Sequence, residues 1–307
     1  MHDHDHDHDQ EGAAGNRTRL AVAFGVTAAI LLAETVGAIV TGSLALIVDA
    51  GHMLTDAGGL GVALWAAHLM ARPATSRRTW GYARAEVLSA TAQAGVLLAV
   101  GLVVLVEGIR RLFLPPEVQP SGLLLFGIIR LVGNIVSIGV LLGGRTANFN
   151  LRAAFLEVVN DALGALGVIV AGIVIALTGW QRADAVAALV IGMLILPRAV
   201  RLLRETTAVL MENTPSGLDL DAVRTHLLAV EHVRQVHDLH ASQIATGLPV
   251  LTAHITVDPD CFVDGHTPQI LDELQSCVAE HFAIGIEHST FQLESPQHQD
   301  HEHTPHG

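Results

Sequence analysis

From residue 19 onward the chain alternates long apolar stretches with short polar ones. The apolar segments fall at about 19–40, 44–70, 83–113, 121–143, 153–178 and 183–203, each close to the roughly 20 residues with which a helix crosses a bilayer core. This pattern predicts an all-α domain of six transmembrane helices, the second and third long enough to run beyond the lipid at the cytoplasmic side. Near residue 206 the pattern changes. MENTPSGLDL reads as a linker ending in a helix cap, and DAVRTHLLAV as a helix apolar on one side. VRQVHDLHASQI and VLTAHITVD read as strands joined by a TGLP turn, PQILDELQSCVAEHF as an amphipathic helix, and EHSTFQLE as a last strand. An αββαβ domain of about 85 residues is small but sufficient to fold, the more so as a dimer. The expected organisation is a disordered His/Asp-rich tail over 1–16, a transport-sized membrane domain over 17–205, a cytoplasmic α+β domain over 206–294 and a disordered His-rich tail over 295–307.

Composition agrees with the membrane reading: of 307 residues half are hydrophobic, 15% are charged, and mean hydropathy is +0.46. The net charge of −13 comes largely from acids in the tails and the last third, so nucleic acid is not an expected partner. The basic residues, all arginine, gather at one side of the spans: Arg17 and Arg19, Arg72 to Arg84, Arg145 and Arg152, and Arg198 to Arg204. The other side has Arg110, Arg111 and Arg182. The positive-inside rule then places both termini in the cytoplasm of a multi-pass cell-membrane protein. The acidic, His-rich start lacks the basic n-region of a cleavable signal, so insertion is expected to rely on the first span. Cys261 and Cys277 are spaced for neither a CxxC site nor a disulfide framework and read as reduced thiols, Cys261 standing near Asp258 and Asp260.

Certain residues break the apolar pattern. In SLALIVDAGHMLTDAGGLG, Asp49, His52 and Asp56 stand at i, i+3 and i+7, along one face of a helix. Ionisable groups in a span are costly unless they face protein, water or an ion; a stripe that packs helices by hydrogen bonds is the competing reading. The fifth span carries a second set, Glu157 and Asp161 at i and i+4 with Asn160 beside them. Two helices, each offering an i, i+4 pair, close four ligands around one ion. Glycine and alanine in GGLG at 58–61, Gly95, Gly101 and ALGALG at 162–167 are expected to let helices approach closely. Arg130, in mid-span, is expected in a buried ion pair with Glu34 or Glu107. MHDHDHDHDQE and HQDHEHTPHG at the two ends read as weakly selective metal-collecting tails.

SLALIVDAGHMLTD, WGYARAEVL, NDALGALGVI, VHDLHASQI and HSTFQLE occur in an order that resembles the cation diffusion facilitator family of six-span metal/proton antiporters, from about residue 17 to 294. The resemblance implies a transport site of His52, Asp56, Glu157 and Asp161, with Asp49 and Asn160 in support. It departs from the family pattern at Glu157, where zinc-transporting members usually have histidine. One nitrogen and three carboxylates still suit Zn²⁺, but the added oxygen raises Mn²⁺, Fe²⁺ and Co²⁺, with Cd²⁺ a further cargo. It also implies a homodimer with a ferredoxin- or metallochaperone-like tail domain that responds to metal through His237, His240, His254, His288 and Glu294. His226, His232, His266 and His281 read as ordinary exposed residues. Metal needs deprotonated ligands, so metal and H⁺ are expected to compete for one site, which is antiport. No prosthetic group and no enzymatic step are implied. A membrane-anchored metal buffer or sensor is the reading from another class, but an anchor needs no ionisable groups on two helices.

Overall fold

The computed structural model describes the backbone of residues 5–41, 44–115 and 120–298. Within these, the side chains of 5–14, 34, 37–41, 44–52, 55, 120–123, 126, 184, 188, 191, 194 and 195 lie outside the described set. The chain divides into two compact units, Met1–Thr206 and Thr207–Gly307.

A helix occupies each of the apolar segments: α1 (Asp5–Thr41), α2 (Leu44–Met70), α3 (Arg84–Phe113), α4 (Pro120–Leu142), α5 (Phe149–Thr178) and α6 (Ala183–Leu210). The first begins inside the His–Asp run, because extending an existing helix costs far less than nucleating one. Among the described residues, Gly15–Ala33, Arg84–Phe113 and Phe149–Thr178 are long and apolar enough to cross a membrane, and Gly127–Leu142 is apolar but shorter. Large apolar side chains such as Val103, Val106, Leu125 and Leu177 point outward. In water such a surface would be an association hazard, whereas lipid solvates it.

Leu20 and Ala23 of α1, Leu60 and Ala63 of α2, Leu141 of α4 and Leu151, Ala154 and Val158 of α5 share one core. Ala90 and Ala94 of α3, Ala153 of α5 and Leu202 of α6 share a second. Small residues are frequent in both, so backbones approach closely and dispersion contacts replace the hydrophobic effect that lipid does not supply. Polar groups fix the register. Glu86, buried at the start of α3, accepts the Phe149 amide of α5 at 2.8 Å, satisfying one of the free N–H groups of that helix end. The Asn148 side chain caps the same helix by accepting from the Leu151 amide at 2.8 Å. Ser89 donates to Asn150 Oδ1 at 2.8 Å, and Asn150 Nδ2 donates to the Ala63 carbonyl of α2 at 2.7 Å. Arg152 and Glu205 pair between α5 and α6.

The second unit runs α7 (Leu220–Leu228), β1 (Val233–Ala245), β2 (Leu248–Val257), α8 (Cys261–Asp264), α9 (Thr267–Glu280) and β3 (His288–Glu294). It is the expected αββαβ order with a single extra turn of helix. Asp219 caps α7 by accepting from the Asp221 and Ala222 amides. The sheet order is β1-β2-β3, with β1 antiparallel and β3 parallel to β2; a parallel partner needs a crossover, which α8 and α9 provide. The hairpin turns at Thr246–Gly247, with Gly247 at φ 73°, and Leu248 and Pro249 already belong to β2. The expected TGLP turn is thus shorter, because glycine at positive φ closes a tight hairpin by itself. Val236, Leu251, Ala253, Ile255 and Val257 join Val223, Leu227, Ile270, Leu274 and Val278 in the core beneath the helices.

Candidate metal centres

In the membrane unit the Asn150–Ala63 bond sets how α5 lies along α2, and the acids follow from that register. Asp56 on α2 and Asp161 on α5 are both buried. Glu157, one turn before Asp161, lays its carboxylate against Gly59: a Cβ at position 59 would stand 2.8 Å from the carboxyl carbon. Only glycine leaves that space, and the GGLG run supplies it. Gly101 meets Leu196 similarly, whereas Gly95 has nothing within 4 Å. Asp56, Glu157 and Asp161 interact electrostatically with one another, and Glu157 Oε2 is buried with no hydrogen-bond partner among the described residues. A carboxylate oxygen in that position is matched by a cation or a proton. Asn160 stands half-buried beside them. The backbone of α2 puts His52 one turn ahead of Asp56; the side chains of His52 and Asp49 lie outside the described residues.

Of the two acids expected to partner Arg130, one is held on its own helix and the other lies outside the described side chains. Glu107 is engaged by Arg111 at 3.0 Å and Arg110 at 3.7 Å on its own helix, where i, i+3 and i, i+4 spacing makes those pairs local. Glu34 lies outside the described side chains. Among the described residues, Arg130 interacts with Asp161, on the neighbouring α5.

In the second unit, His237, His254 and Glu294 offer ligand atoms all within 4.8 Å of one another. Strand pairing brings them together: His237 stands opposite His254, and Glu294 opposite Thr256, two residues along β2 from His254. Residues two apart share a sheet face, and this is the face opposite the one that packs on the helices. His237 Nε2 lies 3.0 Å from Glu294 Oε1, and His254 Nδ1 lies 3.8 Å from Glu294 Oε2. Thr256 and Gln292 hold the carboxylate through contacts of 3.3 and 3.4 Å. Two imidazoles and one carboxylate suit Zn²⁺ with a position left open, and held ligands of this kind are the support a metal site requires.

His240 and His288 are not brought into this group. Asp238 adopts φ 44°, and the pairing slips by one residue between His237 and His240; this bulge sets His240 opposite Thr252, on the same face as His254 but two residues along β2 from it and exposed. His288 pairs with Val250, four residues along β2 from His254, roughly 13 Å away at strand spacing.

The other histidines make local contacts. His232 Nδ1 lies 3.3 Å from Asp258 and His266 Nδ1 2.7 Å from Asp264; His226 Nδ1 lies 2.9 Å from the Ala222 carbonyl. The Arg234 guanidinium beside Asp258, joined by His232, holds that carboxyl below its usual range. Cys261 and Cys277 are free and buried. Burial pushes the Cys261 thiol up, and Asp264, Asp258 and Asp260 add to it, so the thiolate a metal would need is disfavoured.

A helical membrane unit with acids from two facing helices in its interior, followed by an α+β unit with a His–His–Glu cluster, defines an ion-handling membrane protein. Residues 20–211 match the family model for the cation efflux transmembrane domain, and residues 215–296 that for the cation efflux protein cytoplasmic domain. The chain belongs to the cation efflux, or cation diffusion facilitator, family of transporters, and is not an enzyme. It is 38% identical over 284 residues to the metal cation efflux system protein CzcD of Cupriavidus metallidurans, covering 91% of this chain and 87% of that one. It is 37% identical over 281 residues to the zinc transporter ZitB of Escherichia coli, covering 91% and 88%. It is 36% identical over 290 residues to the cadmium, cobalt and zinc/H⁺-K⁺ antiporter of Bacillus subtilis, covering 94% and 91%.

Proposed function

We propose that the chain exports divalent metal, Zn²⁺ first, from the cytosol by exchange for protons through a site formed by His52, Asp56, Glu157 and Asp161. The observation that carries this reading is the electrostatic grouping of Asp56 on α2 with Glu157 and Asp161 on α5, the Glu157 carboxylate lying against Gly59 with one buried oxygen lacking a hydrogen-bond partner among the described residues. The names of the relatives, a zinc transporter and a cadmium, cobalt and zinc/H⁺-K⁺ antiporter, support the cargo and the exchange. In this reading all of α1 to α6 cross the membrane, residues 17–205 form the transport domain, and both termini and the 206–294 domain are cytoplasmic. Metal binds deprotonated ligands, so protons entering from the far side displace it; rocking of the helices exposes the site to one side at a time. In reconstituted vesicles, zinc uptake should rise with an imposed pH gradient of opposite direction and collapse when a protonophore abolishes it. Uptake indifferent to the gradient would sink the exchange.

The second unit acts in this reading as the metal-responsive part of a homodimer, with His237, His254 and Glu294 as its ligands. Glu294→Gln removes the anionic member. Equilibrium zinc binding to the full chain should then fall by about one ion per chain while the membrane site still binds, since loss of a ligand costs at least about 10–100-fold in affinity. Unchanged stoichiometry and affinity would rule the cluster out as a metal site.

A further inference from the structure

Arg130 is a half-buried arginine in an apolar helix. With Asn134 and Ser137, both buried, it forms a polar stripe at i, i+4 and i+7, the inner face of α4. The packing of α4 on α5 sets where that stripe points. A Cβ at Gly127 would meet Ile169 Cγ1 at 2.9 Å and the Ala165 carbonyl at 3.7 Å, while at the opposite end of α4 Leu141 shares a core with Leu151. The two helices therefore run antiparallel. One turn forward from Gly127 is Arg130; one turn back from Ala165 is Asp161. This register puts the guanidinium, whose Nε is buried, level with Asp161, and the two charges interact.

Resting on the reading of Asp161 as a transport ligand, we propose that Arg130 is a fixed counter-cation of the transport site, a positioning residue that loosens the hold of Asp161 on the metal so that the ion can leave. Arginine keeps its charge in any protein environment, so it is a constant part of the field. Asp56, Glu157 and Asp161 carry three negative charges when ionised, which a divalent ion and Arg130 together balance. Without Arg130 the divalent ion would face an excess of one negative charge in a site shielded from water, where such interactions are strong. Binding would be tighter and release slower. A transporter needs its cargo bound well enough to enter and weakly enough to leave, as in other ion pathways.

The test uses the full chain. Zinc KM and kcat are measured in proteoliposomes, and zinc Kd in detergent by competition with a chromophoric chelator, for wild type, Arg130→Met, Arg130→Lys and Asp161→Ala. Arg130→Met should lower KM and Kd by about tenfold and lower kcat by a similar factor; Arg130→Lys, which keeps the charge, should stay within about twofold of wild type. Should Arg130→Met fail to reach the membrane, Arg130→Gln carries the same expectation. Unchanged KM and Kd, weaker binding, or a lysine variant as altered as the methionine one would overturn the proposal, the last because shape and not charge would then matter. If Asp161→Ala abolishes transport while Arg130→Met is silent, only this proposal falls. If Asp161→Ala transports normally, the reading of the site falls with it.

Discussion

Asp161→Ala should abolish zinc transport, with uptake into proteoliposomes falling by more than about hundredfold, because even residues that only support a metal ligand cost 10–100-fold when changed. Asp56→Ala should do the same, while the amount of protein in the membrane stays near wild type. Magnitude shows why these acids need a purpose. One ionised group at the centre of a helix in lipid costs about 2.5–3.5 kcal/mol by insertion measurements, so three cost roughly 8–10 kcal/mol, comparable to the about 5–15 kcal/mol that stabilises a whole domain. Packing alone does not repay that; hydrogen bonds between membrane helices average about 0.6 kcal/mol. Asp56, Glu157 and Asp161 are buried or half-buried together and engage each other electrostatically; in the proposed function their charge is matched by metal, protons and Arg130. Asp161→Asn tests charge separately from size and should be nearly as damaging, since an amide is a poor ligand for Zn²⁺. Wild-type rates for Asp161→Ala, at equal protein level, would remove the acids from the transport path.

The positions of the helices are legible in the sequence because an apolar run of about 20 residues fits little besides a membrane helix. The second unit is legible because its strands alternate and its helices are amphipathic. Relations between elements are less so. Spacing alone points Arg130 toward Glu34 or Glu107, but periodicity along one helix says nothing about the register of its neighbour. Asp161 comes within its reach because Gly127 lets α4 settle against Ala165 and Ile169, while Glu34 lies outside the described side chains. Likewise His237 and His240, at i and i+3 in VHDLHASQI, would face opposite ways on a regular strand, and the bulge at Asp238 brings His240 onto the face of His254, just outside the His–His–Glu group. A further pattern in the sequence carries structure that spacing does not interpret. Glu86, Ser89 and Gln93 repeat the i, i+3, i+7 spacing that singles out Asp49, His52 and Asp56. In the structure they are all buried, with Glu86 holding the start of α5 and Ser89 joining Asn150 to Gln93. The same spacing therefore marks a packing network on α3 and candidate ligands on α2, and what separates them is charge: the α3 stripe has one acid and two neutral groups that hydrogen-bond among neighbours.

Glu157→His should raise the preference for Zn²⁺ over Mn²⁺, read as the ratio of kcat/KM values in reconstituted vesicles, by at least about tenfold. The set proposed for this chain has one imidazole and three carboxylates, an oxygen-rich inventory that accommodates Mn²⁺ and Fe²⁺ as well as Zn²⁺; a second imidazole favours Zn²⁺ in kind. The substitution also removes a negative charge. With Arg130 nearby, a divalent ion balances three carboxylates but exceeds two, so affinity should fall for every metal. The selectivity ratio, and not the absolute rate, is therefore the diagnostic quantity. The structure bears on whether the ring fits: the Glu157 carboxylate already occupies the gap that Gly59 leaves in α2, and a flat imidazole can enter the same gap where a branched side chain would collide. Asp161, one turn along, stays in place to share the ion. A variant that lowers transport of both metals in equal proportion would show Glu157 acting as a charge and not as a ligand. An unchanged ratio with unchanged rates would take Glu157 out of the site and leave the ion to His52, Asp56 and Asp161.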